Sequence, residues 1–81
     1  MRFIVIGLGS MGKRRIRCLK HLGYHEIVGF DLREDRRKET EEKYGIKTYN
    51  DVAKAIMNFS PDAFIISVPP DIHHVYMKMA I

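Results

Sequence analysis

The sequence predicts an α/β domain with a partial doubly wound parallel sheet and helices on both faces. Strand and helix patterns alternate along the whole chain, as they do in proteins built from βαβ units. The strands are short apolar runs, which is typical of strands buried on both faces. Right-handed connections between such units give the spatial strand order 3-2-1-4.

The first strand is predicted over residues 2–6, an apolar run that ends in glycine. A helix follows over residues 11–22, and Gly23 ends it as a glycine after the last turn. The spacing places five residues on one side of this helix: Met11, Arg15, Cys18, Leu19 and Leu22.

A second strand is predicted over residues 26–31, "EIVGFD", and a helix over residues 34–44. This helix is almost wholly charged, and Glu39 precedes Lys43 in the order that favours ion pairs four residues apart. It has little apolar surface, so we expect it at the margin of the fold. A brief third strand covers residues 47–49.

The next helix begins after Asn50 or Asp51, either of which can cap it. Its apolar residues recur at helical spacing, and Ser60 and Pro61 end it. "AFIISV", residues 63–68, is the fourth strand. After two prolines, a last helix is indicated by Ile72, Val75, Tyr76 and Met79.

Composition predicts a globular cytoplasmic protein, with 46% hydrophobic and 30% charged residues. The single cysteine, Cys18, excludes an internal disulfide, and no stretch is long enough to span a membrane. The net charge is +4 and is concentrated in residues 13–20. Such a segment can attract anions or nucleic acid, but a solvated helix face is the simpler interpretation.

The motif "GLGSMG" comes directly after the first strand and opens the first helix. Gly7 permits a tight turn, Gly9 allows close approach of a pyrophosphate, and Gly12 lets the helix pack on the strand. The first N–H groups of the helix then face the phosphates. The candidate cofactor-binding residues of this turn are Gly7, Leu8, Gly9, Ser10, Met11 and Gly12.

Asp31 ends the second strand, 19 residues after Gly12, where dinucleotide-binding domains carry an acid that accepts hydrogen bonds from the adenosine ribose. A carboxylate there repels a 2′-phosphate, so we expect NAD to be preferred, with NADP possible. Leu32 and Arg33 adjoin Asp31 and complete this part of the site. Three arginines could hold a 2′-phosphate, but ion pairing along the charged helix is the favoured interpretation; they are Arg33, Arg36 and Arg37.

With "GLGSMGKRRIRCL", "GFDLREDRRKETEEKYGI" and "VPPDIHH", the whole chain resembles the N-terminal Rossmann domain of Gfo/Idh/MocA oxidoreductases. The resemblance implies a protein that uses NAD or NADP on sugars, inositols, and related polyols or carbonyl compounds. It also implies that the segment after the fourth strand borders the cofactor, through Val68, Pro69, Pro70 and His73. Valine stands where the family commonly has threonine, and Arg15 stands where it often has histidine.

The resemblance further implies that residues 1–81 are the N-terminal part of a dinucleotide-binding domain. In the family a lysine of a Glu-Lys-Pro motif and a C-terminal domain serve catalysis, and neither is in this sequence. We therefore expect no catalytic residue here, no turnover by the chain alone, and a small-molecule substrate only in a full-length parent. No metal site is expected, because the adjacent His73 and His74 face different ways on a helix.

Two other functions remain open. The group of 3-hydroxyisobutyrate dehydrogenases also favours "GLGxMG", but usually continues with a proline and small residues, where this chain has Lys13 to Arg17. A non-catalytic module that senses nucleotides would carry the same glycine turn. Binding to nucleic acid or membranes is not expected, because no aromatic or recognition motif accompanies the basic segment.

Self-association is predicted through the fourth strand if these residues are the whole molecule. The strand is apolar on both faces and nothing after it in the sequence can pair with its outer edge, and an exposed edge of this kind favours association. Light scattering measures the outcome, and a monomer that persists for days would contradict the prediction.

Overall fold

A computed structural model describes residues 1–67, in which strands and helices alternate in the predicted order. The elements are β1 (Phe3–Ile6), α1 (Ser10–His21), β2 (Ile27–Phe30), α2 (Glu34–Tyr44), β3 (Lys47–Tyr49), α3 (Val52–Phe59) and β4 (Ala63–Ile66). The predicted last helix lies outside the described residues, as do Val68, Pro69, Pro70 and His73. None of the helices in the described part is long and apolar enough to cross a membrane.

The four strands form one parallel sheet in the order β3-β2-β1-β4, which confirms the predicted topology. Ile4 at the centre of β1 lies opposite Val28 of β2 and Phe64 of β4. The predicted first and second strands extend one residue too far at one or both ends, and Ser67 lies beyond the end of β4, whereas α2 and β3 have the predicted bounds. β1 and β2 are therefore the interior strands of the described sheet.

Buried apolar residues pack on both faces of the sheet, as predicted for helices on both sides. The cluster on the α1 face contains Phe3, Val5, Leu8, Ile16, Leu19, Ile27 and Ile46. The cluster on the α3 face contains Ile4, Ile6, Val28, Phe30, Val52 and Ala55. Alternate residues of β1 and β2 thus supply the two cores, and every residue of both strands other than Gly29 carries an apolar side chain into one of them.

The five residues that the spacing places on one side of α1 do not coincide with its buried side, which includes only Leu19 of them. Gly12, Ile16 and Leu19 are the buried residues of this helix, whereas Met11 is 57% exposed and Cys18 is also exposed. A Cβ at Gly12 would lie 1.8 Å from the carbonyl oxygen of Gly7, so the backbone of α1 touches the turn after β1. This contact fixes the rotation of the helix, and Ile16 and Leu19 follow Gly12 at helical spacing.

The charged helix α2 lies at the margin of the fold, as predicted, beside α1 and the edge strand β3. Its contacts with α1 use the basic segment of that helix. Lys13 pairs with Glu39 at 3.1 Å, and Arg17 donates to the Tyr44 hydroxyl at 2.7 Å. Lys20 also donates to α2, at the Tyr44 carbonyl oxygen. Glu39 therefore pairs across the helices with Lys13 rather than along α2 with Lys43, which corrects the predicted pairing.

The connection from β3 to β4 has the predicted helix and cap. Of the two candidate caps, Asp51 accepts hydrogen bonds from the N–H groups of Ala53 and Lys54 at 2.9 and 3.4 Å. Ser60 takes a left-handed conformation at the end of α3. The four residues of β4 are each partly exposed, consistent with its place at the edge of the described sheet.

We predict that Gly12→Ala lowers the free energy of unfolding by at least about 3 kcal/mol, because the new methyl group meets backbone atoms that cannot move aside. In the interior of a helix, alanine in place of glycine otherwise stabilises the protein by about 1 kcal/mol. A loss of stability in Gly12→Ala therefore indicates the steric contact. Urea unfolding followed by circular dichroism measures the loss.

Gly29→Ala is the matched control. Its methyl group would meet the end of the Leu8 side chain, 2.7 Å from Cδ2, and a flexible side chain can turn away, so we expect a loss of about 1–2 kcal/mol. A Gly12→Ala chain as stable as the parent would contradict the assigned contact between α1 and β1.

Candidate functional site

Three segments meet at the edge of the sheet where the parallel strands end. The turn after β1 begins at Gly7, whose N–H donates to the Phe30 carbonyl oxygen at 2.8 Å. Asp31 follows β2, and Ser67 follows β4, with its N–H bonded to the Ile6 carbonyl oxygen at 2.7 Å. Open α/β sheets bind ligands in the crevice at this edge, so the fold brings the predicted site residues Gly7 and Asp31 to a suitable place.

The glycine turn, residues 7–9, joins β1 directly to α1. Gly7 has φ of +95°, a conformation that residues with a Cβ rarely adopt. Gly9 caps α1, and its carbonyl oxygen accepts the N–H of Lys13 at 3.0 Å. With Gly12 packed on Gly7, the turn is held against the end of β1, and α1 begins at the edge of the sheet where this strand ends.

The N-terminus of α1 differs from those of α2 and α3. α2 carries Glu34 and Asp35 in its first turn, and α3 is capped by Asp51. α1 has no acid in its first turn, and no side chain of the described residues caps it. Its first N–H groups, which α-helices leave without intrahelical partners, are therefore suited to an external anion.

The buried carboxylate of Asp31 connects the turn after β1 to the loop after β2. Its Oδ2 accepts the N–H of Leu8 at 2.9 Å, and its Oδ1 accepts the N–H of Arg33 at 2.8 Å. The residue is 7% exposed. Its N–H bonds to the Tyr49 carbonyl oxygen at 3.3 Å, and its carbonyl oxygen accepts from Arg37 at 2.8 Å. The carboxylate is thus fixed beside the glycine turn.

The Asp31 carboxylate retains capacity for further donors. An ionised carboxylate has about four acceptor positions on its two oxygens, and the Leu8 and Arg33 N–H groups use two of them. The residue therefore stabilises the glycine turn and can still accept hydrogen bonds from a ligand with two hydroxyl groups.

The three arginines that follow Asp31 have three different partners: the expected ion pairing along the charged helix is confirmed for Arg33, whereas Arg36 and Arg37 contact Asp31 instead. Arg33 donates to Asp35 at 3.1 and 2.7 Å, and these hydrogen bonds lower the pKa of the Asp35 carboxyl. Arg37 donates to the Asp31 carbonyl oxygen. Of the three side chains, only that of Arg36 reaches the carboxylate of Asp31, with its Nη1 at 3.6 Å from Oδ2.

The remaining predicted residues have unequal roles. Leu8 is fully buried, so only its backbone can serve a ligand. The apolar side chains of Met11, in the first turn of α1, and of Leu32, in the loop after β2, are exposed. Ser67 was not indicated by any sequence motif. Its Oγ is buried and has no hydrogen-bond partner among residues 1–67, which makes it an additional candidate.

A separate groove of about 370 Å³ lies between α2 and the end of β3. Its lining residues are Glu34, Arg37, Lys38, Glu41, Thr48, Tyr49 and Asn50. It contains no glycine turn, and its helix N-terminus already carries Glu34. Within residues 1–67 no three acidic, histidine or cysteine side chains are grouped to hold a metal. The glycine edge is therefore the better-formed candidate.

Comparison with known proteins agrees with this geometry. The family model described as an oxidoreductase family with an NAD-binding Rossmann fold, GFO_IDH_MocA, matches residues 1–81. The chain belongs to the Gfo/Idh/MocA family. The Rossmann fold and the oxidoreductase resemblance predicted from the sequence are thereby confirmed. Curated protein sequences give no significant match.

Two solved structures share the fold of this Gfo/Idh/MocA domain. A probable dehydrogenase from Thermotoga maritima is 32% identical, with a TM-score of 0.81 over 94% of this chain. A prephenate dehydrogenase from A. aeolicus, in complex with hydroxyphenyl propionate and NAD+, is 24% identical, with a TM-score of 0.80 over 89% of this chain. The matches cover 23% and 26% of those chains, so this chain spans about a quarter of their length.

We predict that Asp31→Ala costs about 1–3 kcal/mol of stability, because the buried N–H of Leu8 loses its acceptor. Amide hydrogen exchange at Leu8 should accelerate by more than the overall loss of stability explains. Urea unfolding and NMR-detected exchange measure the two effects.

Asp35→Ala is the control, since it removes an exposed carboxylate that binds the Arg33 side chain. Exposed ion pairs contribute at most about 1 kcal/mol, and exchange at Leu8 should not change. Equal effects of the two substitutions at Leu8 would contradict the connecting role of Asp31.

Proposed function

We propose that the chain binds the adenosine diphosphate part of NAD(P), with the ribose at Asp31 and the pyrophosphate at the glycine turn. One observation carries the proposal: the Asp31 carboxylate is bonded to the N–H of Leu8, inside the turn itself. A ribose acceptor and a phosphate-binding backbone are therefore one rigid unit. The family to which the chain belongs is described as NAD-binding.

The residues fit a dinucleotide for physical reasons. The uncapped N-terminus of α1 offers N–H groups and a favourable helix dipole to the pyrophosphate. Gly9 has no Cβ that would keep a phosphate away from the backbone. Asp31 has acceptor positions left for the two ribose hydroxyls. The predicted contacts of Val68, Pro69, Pro70 and His73 remain proposals, since these residues lie outside the described range.

The proposed parent activity is oxidation or reduction at a carbon that bears a hydroxyl group, in a sugar-like or polyol substrate. When bound, the nicotinamide supplies hydride transfer at its C4. The described residues contribute binding and orientation: the turn fixes the phosphates, and Asp31 fixes the ribose. The family resemblance supports this substrate class. None of the residues described in the structure is assigned to substrate selection.

NAD is the proposed preferred cofactor. A 2′-phosphate carries about −1.5 to −2 charges at neutral pH, and it would lie against the buried carboxylate of Asp31. Repulsion between like charges is strong where little water screens them. The hydroxyl of NAD instead donates a hydrogen bond to the same oxygen atoms.

We predict that titration calorimetry of the 81-residue chain gives tighter binding of NAD than of NADP, and that Asp31→Asn removes most of this difference. The amide keeps one acceptor oxygen and loses the charge that repels phosphate. Glu34→Gln, which removes an exposed carboxylate three residues later, is the control and should leave the ratio unchanged. Equal or reversed affinities in the parent chain would refute the preference for NAD, and absence of binding to both would refute the site.

A further inference from the structure

Lys13 directly follows the glycine motif, and its side chain is largely buried. Its N–H donates to the carbonyl oxygen of Gly9 at 3.0 Å, so its backbone belongs to the end of the turn. Its Nζ lies 3.1 Å from Oε1 of Glu39 on α2. The Lys13 side chain is 12% exposed, against 57% for that of Glu39. An amine this far from water is costly unless it is paired, so the ion pair is a fixed connection between the turn and α2.

The helix α2 depends on such a connection because it has almost no apolar face. Of the residues of α2, all of which are described, only Thr40 is buried, and its hydroxyl donates to a carbonyl oxygen of the same helix. Tyr44, the last residue of α2, packs against the core on the α1 face. The C-terminal end of α2 is thus held by apolar packing, whereas the middle of the helix is held to α1 by the pair of Lys13 and Glu39.

The part of α2 that precedes Glu39 contacts the acid at the end of β2. Arg37 donates to the carbonyl oxygen of Asp31 at 2.8 Å, and the Nη1 of Arg36 lies 3.6 Å from its Oδ2. The same carboxylate oxygen accepts the N–H of Leu8 in the turn at 2.9 Å. The contacts therefore close a ring, which runs from the glycine turn through α1 and α2 to the acid and back to the turn.

We propose that Lys13 is a positioning residue for the ribose acceptor Asp31. Paired with Glu39, it holds α2 in the place from which Arg37 fixes the backbone of Asp31. The inference rests on the proposed dinucleotide site and adds to it a residue of another element that orients its acid. When the pair is broken, α2 shifts relative to the turn, and the carboxylate loses the orientation that two ribose hydroxyls require.

Two simpler roles of Lys13 predict a different result. If its charge only attracted the pyrophosphate, or if the ion pair only stabilised the fold, its removal would weaken all ligands that carry the same diphosphate by one factor. ADP and 2′,3′-dideoxy-ADP differ only in the two ribose hydroxyls. The ratio of the dissociation constant of 2′,3′-dideoxy-ADP to that of ADP therefore cancels these common losses and measures the contact of the ribose with Asp31.

The experiment titrates the 81-residue chain and its variants with both ligands by calorimetry, and amide shifts of residues 7–12 in NMR spectra report binding at the turn. In the parent we expect a ratio of at least about 10, because the two hydroxyls donate to a charged acceptor. Lys13→Met keeps the buried stem and removes the charge, and Glu39→Gln removes the charge of its partner. Each should lower the ratio about threefold or more, as coupling within one hydrogen-bond network does.

Two further variants make the result specific. The double variant with Lys13→Met and Glu39→Gln should lower the ratio no further than either single change, because the two side chains act as one pair. Arg14→Met is the matched control, since it removes the same charge from the next residue of α1, where the side chain is exposed. It should leave the ratio unchanged, because an exposed charge is screened by solvent.

An unchanged ratio in Lys13→Met or in Glu39→Gln overturns the inference and leaves the proposed function standing, as does an equal fall in Arg14→Met or an additive fall in the double variant. If Lys13→Met does not fold, Glu39→Gln decides, and an unchanged ratio there overturns the inference. If the parent binds neither ligand at the turn, or binds both equally, the proposed function itself fails and the inference fails with it.

Discussion

The hydrogen bond from the N–H of Leu8 to the Asp31 carboxylate is the interaction on which the site depends. It joins the turn after β1 to the end of β2, two segments 23 residues apart in the sequence. The Leu8 side chain is meanwhile buried in the α1 core, against Gly29 of β2. The same residue therefore connects the core to the site: its side chain stabilises the sheet and its backbone orients the acid.

The second constraint is the contact between α1 and the turn. Because Gly12 has no side chain, the helix touches the Gly7 carbonyl and its N-terminus stays close to the sheet edge. The rotation of α1 then determines where its cations go: Lys13 and Arg17 bind α2 rather than forming a free basic face. The segment that could have suggested a nucleic-acid surface thus contributes to holding the marginal helix α2.

Most of the fold could be predicted from local patterns. Residues near one another in the sequence determine the alternation of strands and helices, the helix ends marked by glycine and the cap at Asp51. The strand order follows from right-handed connections. The buried side of α1 did not follow from the apolar spacing, since Met11 and Leu22, which that spacing groups with Leu19, are exposed. Close contact at a glycine leaves no apolar signal, so periodicity could not reveal which side the helix buries.

By itself, the sequence determined the motif, its family and the acid at the end of the second strand, because these are matters of residue type and spacing. Only the tertiary structure decided how the charges are paired. Three arginines within five residues look equivalent in the sequence, yet one faces Asp35, one a carbonyl oxygen and one the Asp31 carboxylate. A long charged side chain can reach many partners. Which partner it contacts depends on where separate elements of the chain meet in space.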